Sequence, residues 1–162
     1  PITTHLPLKS VAKMINKKII IQKIKLISNF YKNTFGFMPK IAVLGLNPHC
    51  ESISKFNEDD QIIRPIIEKL NKKFNISGPI SADTIFIKNN RKKYDVIIGM
   101  YHDQVLSPFK ALFKFNAINI TLGLKYFRAS PDHGTAFNII KKNKANEISL
   151  LNCINFIHKL KK

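Results

Sequence analysis

Apolar residues along the chain alternate between helical spacing and short continuous runs. From Pro7 to Phe35 they recur at three- and four-residue steps, which predicts a long helix that ends at Gly36. Two compact runs, KIAVLGLN at 40–47 and YDVIIGM at 94–100, predict strands, and the second is typical of a strand buried on both faces of a parallel sheet. AINITLGL at 117–124 predicts another strand. This alternation indicates the α/β class.

The remaining segments predict two more helices, a loop, and a turn followed by the start of a helix. Either Asp59 or Asp60 is expected to cap a helix that runs to Phe74, whose buried stripe would comprise Ile62, Ile63, Ile66, Ile67 and Leu70. SGPISADT at 77–84 is typical of a loop, and SPDHGTAFNII at 130–140 predicts a turn that enters a helix. A last amphipathic helix is predicted over 147–160, with an inward face of Leu150, Leu151, Ile154 and Ile157. No repeat or linker is visible, so we assign no boundary within residues 1–162.

Composition narrows the class of protein. The chain has 162 residues, 44% of them hydrophobic and 23% charged, which is the composition of a globular domain with a sizeable core. No apolar stretch approaches the roughly 18–20 residues of a membrane span, and the first residues lack the pattern of a signal peptide. Cys50 and Cys153 have no disulfide or metal-type spacing. We therefore expect a cytoplasmic protein that does not bind membranes.

The net charge of +17 raises the question of a nucleic-acid partner. The basic residues are 24 Lys and 3 Arg, and the lysines are scattered along the chain. No basic patch with interleaved aromatic residues and no nucleic-acid motif is present. The charge is interpreted mostly as a solvated surface, and no specific nucleic-acid partner is expected.

Four of the five histidines lie in turn-like contexts, at His5, His49, His102 and His133. What recurs is a strand followed by a polar turn that carries a histidine, as in YDVIIGM and then His102-Asp103. Parallel strands bring such turns to one edge of a sheet, where separate imidazoles could share a cation. The alternative is that each histidine is structural, and that His102 and Asp103 simply face water in a surface turn. No histidine pair has the spacing of a zinc ribbon or an HExxH helix.

Other polar residues accompany the histidines. Asp83 and Asp103 are carboxylates in turns, and Lys110, Asn119 and Arg128 follow one another at intervals of nine residues. Arg128 is one of only three arginines in a lysine-rich chain. Its planar guanidinium can bind a carboxylate or phosphate with two hydrogen bonds, which makes it a candidate for such a ligand. Lys110 could equally be a solvated lysine, and Asn119 a strand residue bonded to a neighbouring loop. GTAFNII, after Asp132-His133, would suit a phosphate or ribose at a helix N-terminus, or be a plain capped helix.

Taken in series, these stretches resemble the 4-hydroxythreonine-4-phosphate dehydrogenase family of pyridoxal phosphate biosynthesis. The matching pieces fall in the same order along nearly all 162 residues: TTHLPL, LGLNPH, IIRPII, GPISADTIF, MYHDQ, the Lys of SPFK, NITLGL, the Arg of YFRAS, and DHGTA. The resemblance implies an α/β/α sandwich like that of isocitrate and isopropylmalate dehydrogenases, with only its carboxyl-terminal half in this chain. It also implies a homodimer with a shared active site.

The same resemblance assigns roles to residues by motif. His5, His49 and His102 would be the ligands of one divalent metal (zinc, magnesium or cobalt), with one of the three contributed by the partner subunit. Lys110, Asn119 and Arg128 would bind the small phosphorylated substrate, and Asp83 and Asp103 would orient ligands or substrate from behind. His133, Gly134 and Thr135 resemble the nucleotide-binding turn of the wider family, which implies NAD or NADP as cofactor.

The implied reaction is the NAD-dependent oxidation of 4-phosphooxy-L-threonine, followed by loss of carbon dioxide to give 3-amino-2-oxopropyl phosphate. Two alternatives stay open: a related dehydrogenase of another phosphorylated hydroxy acid, and a truncated remnant without catalytic activity. The chain departs from the family pattern where larger residues replace glycine, at Glu51, Val105 and Lys141, and where Lys125 replaces proline. Because replacing glycine restricts the backbone and its approach to a ligand, the cofactor site is the part most affected.

Overall fold

The computed structural model describes residues 1–51 and 54–160, which form two compact units divided between Pro108 and Phe109. The α-helices are α1 (Leu8–Met14), α2 (Lys17–Phe35), α3 (Arg64–Leu70), α4 (Ala82–Ile85), α5 (Lys88–Arg91), α6 (His102–Phe113) and α7 (Ile148–Lys159). The strands are β1 (Ile41–Leu44), β2 (Ile76–Ile80), β3 (Val96–Ile98), β4 (Ile118–Thr121) and β5 (Arg128–Pro131). Short 3-10 helices span Pro48–Cys50, Lys114–Asn116 and Phe137–Ile139, and a π-helical turn spans Asp59–Ile63.

The first unit is built on a parallel sheet with the strand order β2-β1-β3. The register places Ile41 of β1 opposite Ile76 of β2 and Val96 of β3. All four residues of β1 are buried, and they alternate between two hydrophobic clusters, Ile41 and Val43 on one side and Ala42 and Leu44 on the other. The strands predicted at 40–47 and 94–100 are confirmed. Because the strands are parallel, their carboxyl ends lie along one edge of the sheet.

The segment 77–84 was predicted as a loop, and this prediction is wrong, because β2 and the start of α4 lie in it. Gly78 accounts for the close packing of β2 and also for the incorrect prediction of a loop. A Cβ atom at Gly78 would lie 2.4 Å from the carbonyl oxygen of Val43, so only glycine allows β2 to approach β1 this closely. The Gly-Pro pair is a turn signal in sequence, but here it belongs to a strand.

The long helix predicted over 7–35 is two helices, α1 and α2, separated at Ile15 and Asn16. Asn16 is the N-cap of α2, and its side-chain oxygen accepts a hydrogen bond from the N–H of Ile19 at 3.1 Å. The predicted stop at Gly36 is confirmed, since Gly36 has a left-handed φ of 78° and its N–H donates to the carbonyl of Lys32.

The helix predicted from Asp59 or Asp60 to Phe74 begins differently and ends earlier. Asn57 supplies the cap, because its side-chain oxygen accepts from the N–H of Asp60 at 2.8 Å. The chain then passes through the π-helical turn into α3, which ends at Leu70. The predicted stripe is largely confirmed, with Ile63, Ile66, Ile67 and Leu70 buried and Ile62 partly buried.

The second unit pairs β4 and β5 as an antiparallel ribbon. The strand predicted at 117–124 is confirmed as β4, whereas β5 was not predicted. The buried Ser149 joins α7 to this unit: its hydroxyl donates to the carbonyl of Ala117 at 2.6 Å and accepts from the N–H of Asp132 at 3.1 Å.

The helix predicted over 147–160 is present as α7, but its predicted inward face is wrong. Leu150, Leu151 and Ile154 are exposed and Ile157 is only partly buried, while Ser149 and Cys153 are the buried residues. Small side chains at 149 and 153 let the helix lie close to the ribbon, so this face is the one that packs within the unit. Among the described residues, no helix is both long and apolar enough to cross a membrane.

Candidate functional site

The carboxyl ends of the three parallel strands carry candidate residues of the first unit. His49 follows β1, Asp83 follows β2, and His102 with Asp103 follows β3 and opens α6. This is the sheet edge at which open α/β folds bind ligands. The arrangement agrees with the sequence argument that strand-to-turn junctions bring these side chains to one edge.

His5 joins this edge because its segment runs beside the end of β3. The N–H of Ile2 donates to the carbonyl of Gly99 at 2.7 Å, and the N–H of Thr3 donates to the carbonyl of Met100 at 3.1 Å. The rings of His5 and His102 consequently lie with their centroids 5.8 Å apart. Both histidines line a cavity of about 440 Å³, together with Thr3, Leu6, Leu8, Val11, Tyr101 and Asp103.

The turn that carries His49 is held in an uncommon backbone conformation. His49 and Cys50 have left-handed φ angles of 54° and 61°, and His5 has a φ of 52°. Such angles cost a non-glycine residue roughly 1–2 kcal/mol and persist where the surroundings impose them. Here the buried carboxylate of Asp59 accepts hydrogen bonds from the N–H groups of Leu46 and Asn47 at 2.7 and 2.9 Å. The Asp59 carboxylate therefore stabilises the conformation of the turn that carries His49.

Two of the histidines have a carboxylate next to Nδ1. Asp103 Oδ1 lies 2.6 Å from Nδ1 of His102, and Asp83 Oδ2 lies 3.5 Å from Nδ1 of His49. A carboxylate at Nδ1 directs the other ring nitrogen, Nε2, toward a metal and increases its basicity. Imidazoles supported in this way are side chains of the type that binds divalent transition metals. The roles of Asp83 and Asp103 as supporting residues remain predictions.

The Asp83 carboxyl is itself stabilised in its charged form. The hydroxyl of Ser81 donates to Asp83 Oδ1, and this hydrogen bond, followed by the nearby His49, lowers the pKa of Asp83 below its ordinary value. Cys50 behaves in the opposite way, because burial raises the pKa of its thiol. Cys50 is buried and His49 is exposed, so the imidazole is the accessible candidate ligand of this turn.

Within residues 1–51 and 54–160 of a single chain, no group of three His, Cys, Asp or Glu side chains is arranged to hold a metal ion. The predicted ligand set of His5, His49 and His102 draws on two copies of the chain, so a single chain does not test it. These three residues remain predicted ligands.

Lys110 lies in the last part of α6, which belongs to the second unit, and its partner Asp132 belongs to the same unit. Its ammonium donates to the carbonyl of Asp132 and lies 2.8 Å from the carboxylate of the same residue. Lys110 is therefore not a merely solvated lysine. Its predicted role in binding substrate requires that a substrate anion compete with Asp132.

Asn119 and Arg128 lie on the β4–β5 ribbon. Asn119 pairs with Ser130, and Thr121 pairs with Arg128, so these four polar residues share one face. The Arg128 guanidinium donates to the hydroxyl of Thr121 at 2.9 Å, and Asn119 is exposed. This face presents hydrogen-bond donors suited to an anion, while substrate binding by either residue stays a prediction.

The helix predicted after Asp132-His133 does not form. Residues 134–136 are irregular, and only the 3-10 helix Phe137–Ile139 follows, preceded by Ala136 at a left-handed φ of 50°. Left-handed φ angles at Lys141 and Asn143 prevent its extension. No helix N-terminus is thus available here for a phosphate. His133, Gly134 and Thr135 lie in an exposed segment, and their role in cofactor binding rests on the resemblance alone.

Sequence reasoning overlooked two polar residues next to the histidine turns, the buried Asp59 and the partly buried Gln104. Asp59 was considered only as a helix cap, and Gln104 was part of the MYHDQ motif but received no role. The Gln104 side chain bonds both the carbonyl of Gly45 and the N–H of Met100. The sequence signal for both residues was a polar side chain next to apolar positions. The spacing of apolar residues does not show which partners such a side chain has in the folded chain.

A parallel sheet with imidazole and carboxylate side chains at the carboxyl ends of its strands places the chain among α/β proteins, a class whose ligand sites commonly lie at that edge. Comparison with known proteins identifies the family. Residues 1–157 match the family described as pyridoxal phosphate biosynthetic protein PdxA, and the chain belongs to that family.

Relatives named as dehydrogenases are similar to nearly all of this chain. It is 44% identical over 164 residues to a 4-hydroxythreonine-4-phosphate dehydrogenase from Sulfurihydrogenibium sp. (strain YO3AOP1), covering 99% of this chain and 50% of the relative. It is 42% identical to the enzyme of that name from Aquifex aeolicus (strain VF5), covering 98% and 50%. The relatives are named as dehydrogenases, which are oxidoreductases.

Solved structures confirm the predicted fold. A 4-hydroxythreonine-4-phosphate dehydrogenase from Klebsiella pneumoniae matches with a TM-score of 0.83 and 32% identity, covering 99% of this chain and 50% of its own. A structure under that enzyme name from Salmonella typhimurium matches with a TM-score of 0.81 and 34% identity, covering 98% and 49%. The chain therefore spans about half the length of the relatives it matches.

Proposed function

We propose that this chain forms part of a metal- and NAD-dependent dehydrogenase that oxidises 4-phosphooxy-L-threonine in the biosynthesis of pyridoxal phosphate. The oxidised product would then lose carbon dioxide to give 3-amino-2-oxopropyl phosphate. NADP is the alternative cofactor, and the enzyme would act in the cytoplasm as a homodimer. The observation that carries the proposal is the family membership of residues 1–157, joined to the convergence of imidazoles and carboxylates at one sheet edge.

His5, His49 and His102 would hold the divalent metal, with one of them supplied by the partner subunit. Three imidazoles leave coordination positions open for substrate oxygens and suit zinc or cobalt, with magnesium as the less fitting choice for nitrogen ligands. When bound, the metal would polarise the substrate hydroxyl and stabilise negative charge that develops on its oxygen. The carboxylates of Asp103 and Asp83, at 2.6 and 3.5 Å from the imidazoles, would keep each Nε2 available.

Lys110, Asn119 and Arg128 would bind the anionic substrate. Arg128 offers a planar set of donors for phosphate or carboxylate, and Asn119 adds a donor on the same face of the ribbon. Lys110 is now paired with Asp132, so binding would exchange that carboxylate for a substrate anion. The positive charge of Lys110 would then be paired with an anion both with and without bound substrate.

The nicotinamide cofactor would accept the hydride removed from the substrate carbon. His133, Gly134 and Thr135 would approach the nucleotide through an exposed, irregular segment. Lys141, where the family has glycine, has a left-handed φ of 60°. We expect this segment to change conformation when nucleotide binds, because its present backbone offers no helix N-terminus.

A related dehydrogenase of another phosphorylated hydroxy acid is the alternative enzyme function. A remnant without activity is the second alternative, because the chain spans only about half the length of its relatives. Activity assays of the full-length polypeptide with several phosphorylated hydroxy acids distinguish both alternatives, because a related dehydrogenase would prefer another substrate and a remnant would oxidise none of them.

The decisive experiment replaces His49 with alanine in the full-length polypeptide. We expect the affinity for Zn²⁺ or Co²⁺, measured by calorimetry, to fall more than about 100-fold, since even supporting residues of a metal site cost 10- to 100-fold. Metal-dependent NAD reduction should be lost with it. His158→Ala is the matched control, because His158 is exposed on α7. Equal metal affinity in H49A and the wild type would refute the proposal.

A further inference from the structure

Gln104 connects two strand ends through its side-chain amide. It is the third residue of α6, and its Oε1 accepts a hydrogen bond from the N–H of Met100 at 2.7 Å. Its Nε2 donates to the carbonyl of Gly45, just beyond β1, also at 2.7 Å. The side chain therefore bridges the segment that leads to His102 and the segment that leads to His49.

Met100 extends this bridge to the third histidine segment. Its carbonyl accepts from both the N–H of Thr3, at 3.1 Å, and the hydroxyl of Thr3, at 2.8 Å. Thr3 lies two residues before His5 and is buried. A continuous chain of hydrogen bonds thus runs from Gly45 through Gln104 and Met100 to Thr3, and it ties together the backbone before His49, His102 and His5.

The absence of a side chain at Gly99 leaves the space that the Gln104 amide and Val105 occupy. A Cβ atom at Gly99 would lie 3.0 Å from its Oε1 and 2.3 Å from Cγ1 of Val105. Glutamine is also chemically specific at this position, because the bridge requires one donor and one acceptor on the same planar group. A glutamate of equal size keeps the acceptor for Met100 but cannot donate to Gly45.

We propose that Gln104 is a positioning residue, which sets the His49 turn relative to the start of α6 and so fixes the geometry of the metal ligands. This inference rests on the proposed function, in which His49 and His102 bind metal. It holds whether the two histidines of one chain bind the same ion or the two equivalent ions of a homodimer, since each chain contributes both segments.

The test compares Gln104→Glu with the wild type and with Gln22→Glu, an exposed glutamine of α2, in the full-length polypeptide. Co²⁺ serves as the probe, because its absorption spectrum reports coordination geometry as well as occupancy. We expect Q104E to bind Co²⁺ about 10- to 100-fold more weakly, with an altered spectrum. The added negative charge would by itself favour a cation, so a loss of affinity cannot come from charge.

Gln104→Met provides a second variant of similar length that removes both hydrogen bonds. Hydrogen exchange of the Met100 amide, measured without metal, should accelerate in Q104M and stay slow in Q104E, which retains the acceptor. Weakened Co²⁺ binding in Q104E with a wild-type Met100 exchange rate would support the inference, because the amide bond at Met100 is then intact.

Unchanged Co²⁺ affinity and spectrum in both Gln104 variants would overturn the inference and leave the proposed function standing. Absence of Co²⁺ binding in the wild-type protein would overturn the proposed function, and the inference with it. The exposed Q22E variant should match the wild type in affinity, spectrum and Met100 exchange.

Discussion

Asp59 is a fully buried carboxylate whose oxygens are satisfied by the chain around His49. It accepts from the N–H of Leu46 and of Asn47 and from the Asn47 side-chain amide, at 2.7, 2.9 and 2.9 Å. Buried carboxylates are stable only with such partners. The neighbouring Gly45 leaves room for it, because a Cβ atom there would lie 2.7 Å from Asp59 Oδ1. Asp59 thus provides acceptors for the N–H groups of Leu46 and Asn47 in this turn.

Asp59→Asn is expected to lower the free energy of unfolding by about 1–3 kcal/mol, because the amide nitrogen would face N–H donors and leave one of them unpaired. Urea denaturation of the full-length polypeptide measures the change. Glu68→Gln, at an exposed position on α3, is the matched control and should stay within about 0.5 kcal/mol of the wild type. Equal stability of D59N and wild type would show that the turn does not depend on this carboxylate.

The candidate residues of the site were accessible from sequence, but the residues behind them were not. His49 and His102 follow apolar strands, and the local pattern alone predicts that they end at the sheet edge. Asp59 looked like a helix cap because it precedes an apolar stripe. Its actual partners are 12 and 13 residues away in the chain. Only the folded path of the chain, not the spacing of residues, reveals such a contact.

At the scale of elements, the segments with strong apolar patterns were predicted correctly, and those with ambiguous turn signals were not. β1, β3 and β4 and the end of α2 at Gly36 follow from local sequence. β2 was missed because Gly78 marks close strand packing as readily as a loop. On α7, two faces carry apolar residues, and the one with the small side chains of Ser149 and Cys153 packs within the unit. Periodicity does not decide between such faces.

The break between α1 and α2 shows the same ambiguity. The apolar spacing continues across Ile15 and Asn16, so it predicts one helix. The break depends on Asn16, whose side-chain oxygen accepts from the N–H of Ile19 while its amide donates to the carbonyl of Met14, both at 3.1 Å. An asparagine that satisfies backbone groups at a helix start favours the cap over continuation of the helix.

Asn16→Ala should therefore lower the free energy of unfolding by about 1 kcal/mol, the usual cost of losing an N-cap. Asn29→Ala is the control within the same helix, since Asn29 is exposed in the interior of α2 and alanine is the better helix former. Thermal unfolding measures both changes. A destabilised N29A with an unaffected N16A would contradict the assigned cap.

At the scale of the whole molecule, the proposed function requires a metal site that is shared between two chains. His5 and His102 approach each other within one chain, with ring centroids 5.8 Å apart. Within the described part of that chain, however, no third ligand completes a metal-binding group. In a two-fold homodimer the same surface of each chain meets its equivalent, so two identical shared sites form. Under the proposed function, the ligand contributed by the partner subunit would then be His49, because His5 and His102 already lie together in one chain.

Co-expressed variants of the full-length polypeptide, carrying different affinity tags, test this arrangement. A heterodimer of H49A and H102A would hold one site that lacks both histidines and one that is intact, so it should recover roughly half of the wild-type activity and metal content. A heterodimer of H5A and H102A should remain inactive, because two ligands from the same chain leave every site incomplete. The homodimers of each variant provide the baseline. Recovery by the second pair but not the first would assign His49 and His102 to the same chain.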